Sequence, residues 1–598
     1  MCGIIGYTGR ENATPYLVSG LEALEYRGYD SVGIAEECGG DYIIVKTKGK
    51  IERLKKLLEN TRAEKSVCGI GHTRWATNGE PSEANAHPHR KGDTVIVHNG
   101  IIENDRKIIQ SLGEYEFESE TDTEVAAALI DKRIKECCGV GDGIYAAVRE
   151  MTGSYAFVVM HKSHPGELYA IRKKSPLIAA ETKDGLVFAS DVTAVMSECD
   201  EFYRIPEDTL AVAGEGGLKF FDESGEEVLL KPEKILWSRD AAEKNGFPHY
   251  MLKEINEEPE VIEKTAARFT KDGIPDFSEA FPEDTAGIHI VACGSAMHAG
   301  IVGKYVIEKL ARIPVSVETA SEFRYREPAI AKNTVLILIS QSGETADTLA
   351  ALRYAKEMGV KTSSIVNVPG SSLANESDTV LYTEAGPEIA VATTKAYMTQ
   401  CEVLYLAAVY LAYRGGRISR DECERLTSVM REQVPKAVAA VIADNNSKEI
   451  AKKIAGAEHL FYIGRGIDSA VCIEASLKLK EISYLHSEAY AAGELKHGTI
   501  SLVENGTPVI AVITDSALAD KTMMNLAEVK ARGAAAYVFS SVDGVKSDAK
   551  LPHVSDKEDI FDVFPMLTYL QLLAYHTSLT RGCDVDQPRN LAKSVTVE

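Results

Sequence analysis

The residue best suited to nucleophilic chemistry opens the chain after Met1. Cys2 is followed by Gly3, and methionine ahead of a small residue is normally removed during maturation. Removal would leave a thiol and a free α-amine on one residue, and an amine pKa of about 7.7–8.0 suits proton transfer near neutral pH. Taken alone, Cys2 is better interpreted as an ordinary residue at the start of a strand. A catalytic Cys2 therefore needs support from other segments.

A second group of polar side chains lies in a single turn. The apolar run Thr334–Ile339 predicts a strand, and a helical pattern follows the turn. Hydroxyls, an amide and free N–H groups at a helix N-terminus form an anion site that needs no lysine. One hydroxyl would be explained by N-capping alone, but three hydroxyls and an amide exceed that need. The turn therefore predicts a phosphate site made by Ser340, Gln341, Ser342 and Thr345.

A third group lies on the predicted helix Asp468–Ile482. Lys478 stands three residues before Glu481 and four after Glu474, so the three side chains share one helix face. Such a group can transfer protons, and so can His497 further along the chain, because histidine titrates near neutral pH. From the residues alone, a salt-bridge ladder on a solvated helix is the favoured interpretation of the trio.

The N-terminal part carries further segments that change the interpretation of Cys2. They are Leu24–Ser31, Gly71–Thr77, Val97–Asn104 and Glu120–Glu124. In this order they resemble the class II, or N-terminal-nucleophile, glutamine amidotransferases. The resemblance implies glutamine hydrolysis at Cys2, with an oxyanion hole formed by the Asn99 side chain and the Gly100 N–H.

The same resemblance implies a site for the zwitterionic end of glutamine. Arg74 would hold the α-carboxylate by a bidentate pair, Asp122 would hold the α-ammonium, and Thr77 would add a contact. The family usually has histidine where this chain has Asn78, so position 78 is not included in the site. Trp75, one of two tryptophans and adjacent to Arg74, is predicted to gate ammonia, although packing in the core is a serious rival role.

The turn at Ser340–Thr345 resembles the phosphosugar-binding motif of sugar isomerase (SIS) domains. Supporting segments are Ala320–Arg326, Asn367–Leu373, Leu477–Ser483, Glu488–Gly498 and Asp584–Glu598. With the N-terminal half, the chain resembles the isomerizing glutamine–fructose-6-phosphate aminotransferases. The resemblance implies the substrates L-glutamine and fructose 6-phosphate, and a homodimer in which the turn bearing His497 reaches the neighbouring subunit's site.

The resemblance to the aminotransferases also implies roles for single residues in the sugar reaction. His497 would open the ring, Lys593 would form a Schiff base at C2, and Glu481 would move a proton from C1 to C2, assisted by Lys478. Position 296 is alanine where the family often has a hydroxyl residue. Further contacts to the sugar phosphate are predicted for Cys293, Gly294, Ser295, Val391, Thr393, Glu474 and Ala592.

The elements that must position these groups differ between the two halves. Short alternating strands with helices near Ala13–Leu24 and Thr123–Lys135 predict an α+β domain, and repeated strand–turn–helix patterns after Ile288 predict two α/β copies with parallel sheets. The helix after the first such turn is predicted from about Ala299. The polar stretch Lys231–Glu260, with Pro259 among its breakers, marks the main boundary. The predicted domains are 2–235 (amidotransferase), 236–248 (linker), 249–430 (first SIS subdomain) and 431–598 (second SIS subdomain with the C-terminal tail).

Composition excludes several classes of protein. The formal charge of −23 argues against nucleic acid or an anionic membrane as a partner. The eleven cysteines show no CxxC spacing, the N-terminus has no signal-peptide pattern, and no metal cluster or dinucleotide fingerprint is present. We therefore expect a cytoplasmic enzyme without a metal or cofactor. The alternatives are a class II amidotransferase with another acceptor and a non-catalytic sugar-phosphate sensor.

Overall fold

The structure, a computed structural model, describes residues 2–59, 65–76, 78–113, 115–235 and 243–596. The chain divides into two compact units. The first comprises Met1–Ala242 with Ala592–Glu598, and the second comprises Glu243–Leu591. Thr77, predicted to contact glutamine, lies outside the described residues.

The first unit contains antiparallel strands and the helices that cover them. Its helices are α1 Ala13–Leu24, α2 Ile51–Leu58, α3 Asp105–Leu112, α4 Asp122–Glu136 and α5 Val140–Glu150. Its strands are β1 Gly3–Gly9, β2 Ser31–Cys38, β3 Asp41–Lys48, β4 Cys68–Arg74, β5 His89–Lys91, β6 Thr94–Ile102, β7 Gly153–His161, β8 Leu168–Lys173, β9 Ile178–Glu181, β10 Gly185–Ala189, β11 Glu201–Arg204, β12 Leu210–Gly214, β13 Gly217–Phe221 and β14 Glu233–Lys234.

These elements form four layers. One sheet has the order β14-β11-β9-β10-β1-β4-β2-β3 and the other has the order β13-β12-β8-β7-β6-β5. Neighbouring side chains of a strand point to opposite faces, so Ile4 of β1 packs with Val97 of β6 between the sheets, while Ile5 packs with Leu17 of α1. Helices α4 and α5 cover the outer face of the second sheet. This sandwich brings the start of β1 close to β4 and β6.

The second unit alternates strands and helices. Its helices are α6 Tyr250–Phe269, α7 Gly294–Leu310, α8 Ala320–Phe323, α9 Ala346–Glu357, α10 Ser372–Glu376, α11 Lys395–Arg414, α12 Arg420–Ser428, α13 Val434–Ala443, α14 Ser447–Ile454, α15 Ile467–Ser483, α16 Ala519–Lys530 and α17 Val563–Thr580. Its strands are β15 Thr270–Lys271, β16 Ile274–Pro275, β17 Gly287–Ala292, β18 Val315–Thr319, β19 Thr334–Ser340, β20 Lys361–Val366, β21 Thr379–Tyr382, β22 His459–Gly464, β23 His486–Ala491, β24 Pro508–Ile513, β25 Ala535–Ser540 and β26 Ala549–Lys550.

Parallel sheets in this unit repeat one topology. The orders are β18-β17-β19-β20-β21 and β23-β22-β24-β25-β26, which both read 2-1-3-4-5 when the strands of each sheet are numbered along the chain. After the first strand of each sheet the chain turns through a glycine at positive φ, Gly294 at +54° and Gly466 at +58°. In this topology ligands bind at the carboxyl ends of the first and third strands, where the winding direction changes.

Several element boundaries differ from the predictions. Helix α7 begins at Gly294 rather than near Ala299, directly after the turn. Pro259, predicted to break the chain, lies inside α6, because the buried face of that helix, including Ile255 and Ile262, packs into the core on both sides of the proline. Among the described residues no helix is both long and apolar enough to cross a membrane.

Candidate active sites

The Cys2 thiol lies at the start of β1, against the end of β4. The Trp75 N–H donates a hydrogen bond to Cys2 Sγ at 3.2 Å, and Sγ lies 3.5 Å from the Trp75 carbonyl oxygen. A Cβ on Gly3 would lie 2.5 Å from Thr73 Oγ1, so glycine is needed after the cysteine for this close approach. Burial raises the pKa of the thiol. The sulfur is therefore held in place as a thiol that needs a base.

The Asn99 side chain on β6 faces the same residue. Asn99 Nδ2 donates to the Cys2 carbonyl oxygen at 3.0 Å, and Asn99 Oδ1 lies 3.1 Å from His72 Nε2. The next residue, Gly100, has φ of +130°, and a Cβ there would lie 2.1 Å from the Ser154 carbonyl oxygen. The structure thus places the predicted oxyanion donor Asn99 beside Cys2, on a strand that requires glycine at position 100.

Arg74 ends β4 and is 3% exposed. Its Nη2 donates to the carbonyl oxygens of Asn78 and Gly79. Its Nη1 is buried without a hydrogen-bond partner among the described residues. The backbone of Asn78 therefore contributes to the site although its side chain was not included, and a nitrogen of the guanidinium is left for a ligand carboxylate.

Asp122 is the first residue of α4 and is 5% exposed. Its Oδ2 accepts a hydrogen bond from the Ile102 N–H at 2.8 Å. Ile102 lies three residues after Asn99 on β6, so Asp122 is fixed beside the strand that carries the oxyanion donor. A carboxylate at a helix N-terminus also interacts favourably with the helix dipole.

Trp75 is a partly buried residue rather than a core tryptophan. Its ring packs edge-on against Tyr29 with a centroid separation of 5.5 Å, while its backbone holds Cys2. The residue that carries this ring therefore also contacts the Cys2 thiol through its backbone. Its role as a gate remains a prediction.

In the second unit, α15 carries a buried ionic group. Lys478 Nζ lies 2.6 Å from Glu481 Oε2 and 3.5 Å from Glu474 Oε1, and Lys478 is 2% exposed. Glu474 also accepts hydrogen bonds from Ser295 Oγ at 2.8 Å and from His298 Nδ1 at 2.7 Å. A ladder on a solvated helix, the interpretation that the residues alone favoured, is wrong because this group is buried against α7.

The pKa values of Glu474, Lys478 and Glu481 are set by their burial and by their effects on one another. Burial alone would lower the pKa of Lys478, but the Glu481 and Glu474 carboxylates outweigh it and the pKa is raised. Burial raises the pKa of Glu481, whereas Lys478 and His298 overcome the burial of Glu474 and lower its pKa. Two carboxylates with pKa values pushed apart are characteristic of acid–base sites.

The predicted phosphate turn closes the carboxyl end of β19. Ser340 Oγ lies 2.9 Å from Thr345 Oγ1 and accepts the Gly343 N–H at 3.0 Å, and Ser342 Oγ accepts the Glu344 N–H at 3.2 Å. The Gln341 carbonyl oxygen accepts the Asn367 N–H at 3.2 Å. Cys293–Ser295 follows β17, the neighbouring strand, so the two predicted phosphate-contact segments meet where this topology binds ligands.

A loop before α11 is held by the Glu388 carboxylate and by a backbone carbonyl oxygen. Glu388 accepts hydrogen bonds from Thr393 Oγ1 at 2.6 Å and from the Thr394 and Ala396 N–H groups at 3.0 Å. Val391 N–H donates to the Asp586 carbonyl oxygen at 3.1 Å. The predicted sugar contacts Val391 and Thr393 are therefore fixed by residues that the sequence analysis did not single out.

His497, another predicted sugar-site residue, is not bonded to the α15 cluster in the described part of the chain. His497 ends a short 3₁₀ turn, is exposed, and makes no hydrogen bond or ion pair within the described part of the chain. Lys593 and Ala592 belong to the C-terminal segment that groups with the first unit. The structure therefore brings together Glu474, Lys478, Glu481 and Ser295, and leaves His497 outside that cluster.

Sequence comparisons match both halves of the chain to known families. Residues 72–197 match the glutamine amidotransferase domain, and residues 284–410 and 453–551 match the SIS domain. A protein of Clostridium tetani named glutamine–fructose-6-phosphate aminotransferase (isomerizing) is 47% identical over 616 residues, covering 100% of both chains. A protein of the same name from Clostridium acetobutylicum is 46% identical, also over 100% of both chains.

The chain belongs to the isomerizing glutamine–fructose-6-phosphate aminotransferase family. The predicted fold class is confirmed, an amidotransferase domain followed by paired SIS subdomains. The solved C-terminal domain of the glucosamine-fructose-6-phosphate aminotransferase from Francisella tularensis is 40% identical, with a TM-score of 0.54, and covers 58% of this chain and 100% of that chain.

Knowledge of the aminotransferase family did not reveal every residue that shapes the sites. His298, which contacts Glu474, stands three residues after Ser295 and therefore on the same face of α7, a spacing that could have been noticed. His72 and Glu388 act through contacts that carry no local signal, because their partners are distant in sequence or are backbone groups.

Proposed function

We propose that this chain hydrolyses L-glutamine at Cys2 and passes the ammonia to fructose 6-phosphate, which it aminates and isomerises to glucosamine 6-phosphate. The observation that carries the proposal is the presence in one chain of two different sites. One sets a thiol beside an amide donor, and the other buries a lysine between two carboxylates beside a phosphate-type turn. Full-length membership of the aminotransferase family supports the same reaction.

Glutamine hydrolysis uses the first unit. Glutamine binds with its α-carboxylate on Arg74, where the buried Nη1 is open, and its α-ammonium on Asp122. The Cys2 α-amine, freed by loss of Met1, removes the thiol proton, and Sγ attacks the side-chain amide carbon. The oxyanion is stabilised by Asn99 Nδ2 and the Gly100 N–H. Ammonia leaves, and water releases glutamate from the thioester.

The sugar reaction uses the second unit and the C-terminal segment. His497 opens the ring of fructose 6-phosphate, and Lys593 forms a Schiff base at C2 that ammonia displaces. Glu481 then takes a proton from C1 and returns one to C2, converting the ketose imine into an aldose amine. Lys478 supports proton movement at the sugar oxygens, and Glu474 keeps Lys478 charged. Ser340, Gln341, Ser342 and Thr345, with Cys293–Ser295, hold the phosphate.

The test is a product assay with glutamine and fructose 6-phosphate. Formation of glutamate and glucosamine 6-phosphate together supports the proposal. Glutamate without an amino sugar would indicate a class II amidotransferase with another acceptor, and binding of the sugar phosphate without any product would indicate a sensor. Either result would overturn the proposed reaction.

We also propose a homodimer in which His497 acts in the neighbouring subunit's site. His497 is exposed and lies outside the cluster on α15, as expected for a residue whose site is completed by a second copy. Mixing His497→Ala with Glu481→Ala protein, each inactive alone, should restore part of the activity after subunit exchange. Mixtures that stay inactive although light scattering shows exchanged dimers would contradict this arrangement.

The reaction is proposed to take place in the cytoplasm. The eleven cysteines are scattered without CxxC spacing, and such an unpatterned set is typical of a reducing compartment. Cell fractionation with an antibody against the protein would test this, and recovery in the periplasmic fraction would contradict it.

A further inference from the structure

His72 lies behind the Asn99 amide, on the side away from Cys2. It belongs to β4 and is fully buried. Its Nε2 lies 2.9 Å from the His98 carbonyl oxygen and 3.1 Å from Asn99 Oδ1. The proposed reaction assigns His72 no role, although it directly contacts a residue of the oxyanion hole.

The hydrogen on this ring can be assigned from its neighbours. A carbonyl oxygen cannot donate, so His72 Nε2 must carry a hydrogen to bond with His98. Burial lowers the pKa of His72 to about 3, so the ring is neutral at working pH. Its Nδ1 is buried without a hydrogen-bond partner among the described residues, as fits a ring nitrogen without a hydrogen. The ring is therefore the Nε2–H tautomer.

This tautomer decides which way the Asn99 amide points. Because His72 Nε2–H is a donor, Asn99 must offer it Oδ1, and Nδ2 then faces Cys2. A flipped amide would set its NH₂ group against the His72 donor and its oxygen against the Cys2 carbonyl oxygen. Both hydrogen bonds would be lost.

The His72 contact can persist through the reaction. An amide NH₂ group has two hydrogens, so Asn99 Nδ2 can direct one of them towards the new charge when the oxyanion forms. The bond from His72 to Oδ1 is unaffected by that change. The ring itself is fixed by stacking on His87, with centroids 4.0 Å apart and planes at 18°.

We propose that His72 is a positioning residue of the glutaminase site, which holds the Asn99 amide with Nδ2 towards the oxyanion throughout turnover. The inference rests on the proposed glutaminase function. His72 donates no proton to substrate, and its influence passes entirely through Asn99.

Steady-state glutamine hydrolysis by full-length variants tests the proposal. His72→Leu removes the donor and should lower kcat by about 10- to 100-fold, up to the loss expected for an oxyanion donor, with KM for glutamine changed by less than about threefold. His72→Gln, whose amide can still donate, should recover much of kcat. His161→Leu is the matched control, because His161 is a buried histidine of the same unit outside the site, and it should leave kcat nearly unchanged.

A double-mutant cycle separates positioning from folding. In an Asn99→Ala background, His72→Leu should cause little further loss, because the residue through which it acts is gone. Additive losses in the cycle, or an unchanged kcat in His72→Leu, would overturn the inference. Failure of the wild-type protein to hydrolyse glutamine would instead overturn the proposed function.

A measurement on the unaltered protein guards against a variant that does not fold. The ¹⁵N spectrum of histidine-labelled wild-type protein, with the His72 signal assigned through backbone correlations, should show the Nε2–H tautomer from pH 6 to 9. A His72 signal typical of the Nδ1–H tautomer or of a charged ring would refute the proposal.

Discussion

At the scale of single residues, each candidate site keeps one group protonated, for a different physical reason. Burial raises the pKa of the Cys2 thiol, so the nucleophile stays protonated until a base acts on it. Lys478 is kept charged by Glu474 and Glu481, which raise its pKa against the effect of burial. The Cys2 thiol is therefore neutral and the Lys478 ammonium is charged, although both are buried.

Cys2→Ala should abolish glutamine hydrolysis, because no other nucleophile is predicted at the start of β1. Synthesis of glucosamine 6-phosphate with free ammonia should survive, although weakly, because the second unit is unchanged. Glutamate and amino-sugar assays on the same preparation check both statements. Mass spectrometry of fully active wild-type protein that retains Met1 would show that the proposed α-amine base is wrong.

Arg74→Lys should raise the KM for glutamine more than it lowers kcat. A lysine replaces a planar fork by a point charge. It therefore loses the fixed geometry by which Arg74 bonds the Asn78 and Gly79 carbonyls and could still bind a carboxylate in a bidentate manner. An increase in KM of about tenfold is expected for the loss of roughly 1.4 kcal/mol of binding. The control is Arg90→Lys, at an exposed arginine paired with Asp41. An unchanged KM in Arg74→Lys would remove Arg74 from the substrate site.

At the scale of elements, local pattern predicted most of the framework but not its irregular parts. The strands that precede both phosphate-contact segments have near-continuous apolar runs and were predicted, as was α15. Helix α5 was not predicted, because Gly141 and Gly143 lie within it, and a Cβ on Gly143 would lie 2.4 Å from Ile134 Cα. Close packing on α4 requires glycine there and overrides its low helix propensity.

In the candidate sites, too, local pattern predicted one part of the structure and not another. The spacing of Glu474, Lys478 and Glu481 was visible because helical periodicity is local. Their contact with α7 was not visible, because Ser295 precedes Glu474 by 179 residues. Pairing across such separations is decided by tertiary packing, which a single sequence does not record.

Helix α6 contains a buried carboxyl group that should make stability depend on pH. Glu258 is fully buried, accepts a hydrogen bond from Thr568 Oγ1 at 2.7 Å, and has a pKa raised by burial from 4.5 to about 8. The unfolded chain releases this proton near pH 4.5 and the folded chain only near pH 8. The associated stability is therefore present below pH 4.5 and is lost as the pH rises towards 8.

Glu258→Gln removes this loss because an amide does not titrate. Relative to wild type, the variant should gain on the order of a few kcal/mol at pH 8.5 and little at pH 5. Urea unfolding at both pH values measures the difference. Glu260→Gln, at an exposed position of the same helix, is the control and should show no such trend. Identical pH dependence in Glu258→Gln and wild type would contradict the assignment.

At the scale of the whole molecule, the chain crosses between the two units twice, after Ala242 and after Leu591. Inside the second unit both connecting segments meet at Asp586. Its carboxylate accepts the Tyr250 and Met251 N–H groups at 2.9 Å at the start of α6, and its carbonyl oxygen accepts the Val391 N–H at 3.1 Å. Asp586 therefore links three parts of the second unit: the start of α6, the loop that carries Thr393, and the segment that leads to Lys593.

Coupling between the two reactions should depend on Trp75. Ammonia in neutral water is mostly ammonium, which is not nucleophilic, so a fused glutaminase is useful only if ammonia stays inside the protein. Trp75→Ala should leave glutamine hydrolysis largely intact and lower the glucosamine 6-phosphate formed per glutamine consumed. Tyr29→Phe, which keeps the ring that packs on Trp75, is the control. A ratio near one-to-one in Trp75→Ala would exclude Trp75 as the gate.

The repeated 2-1-3-4-5 topology allows corresponding turns of the two copies to be compared. After the third strand of the first copy, the Ser340 hydroxyl accepts the Gly343 N–H within the turn. At the equivalent place in the second copy, Asp468 accepts hydrogen bonds from the Thr514 N–H and hydroxyl. The carboxylate of Asp468 occupies donors that could otherwise meet an anion. We therefore expect the sugar phosphate to bind at the turn of the first copy and not at the corresponding turn of the second.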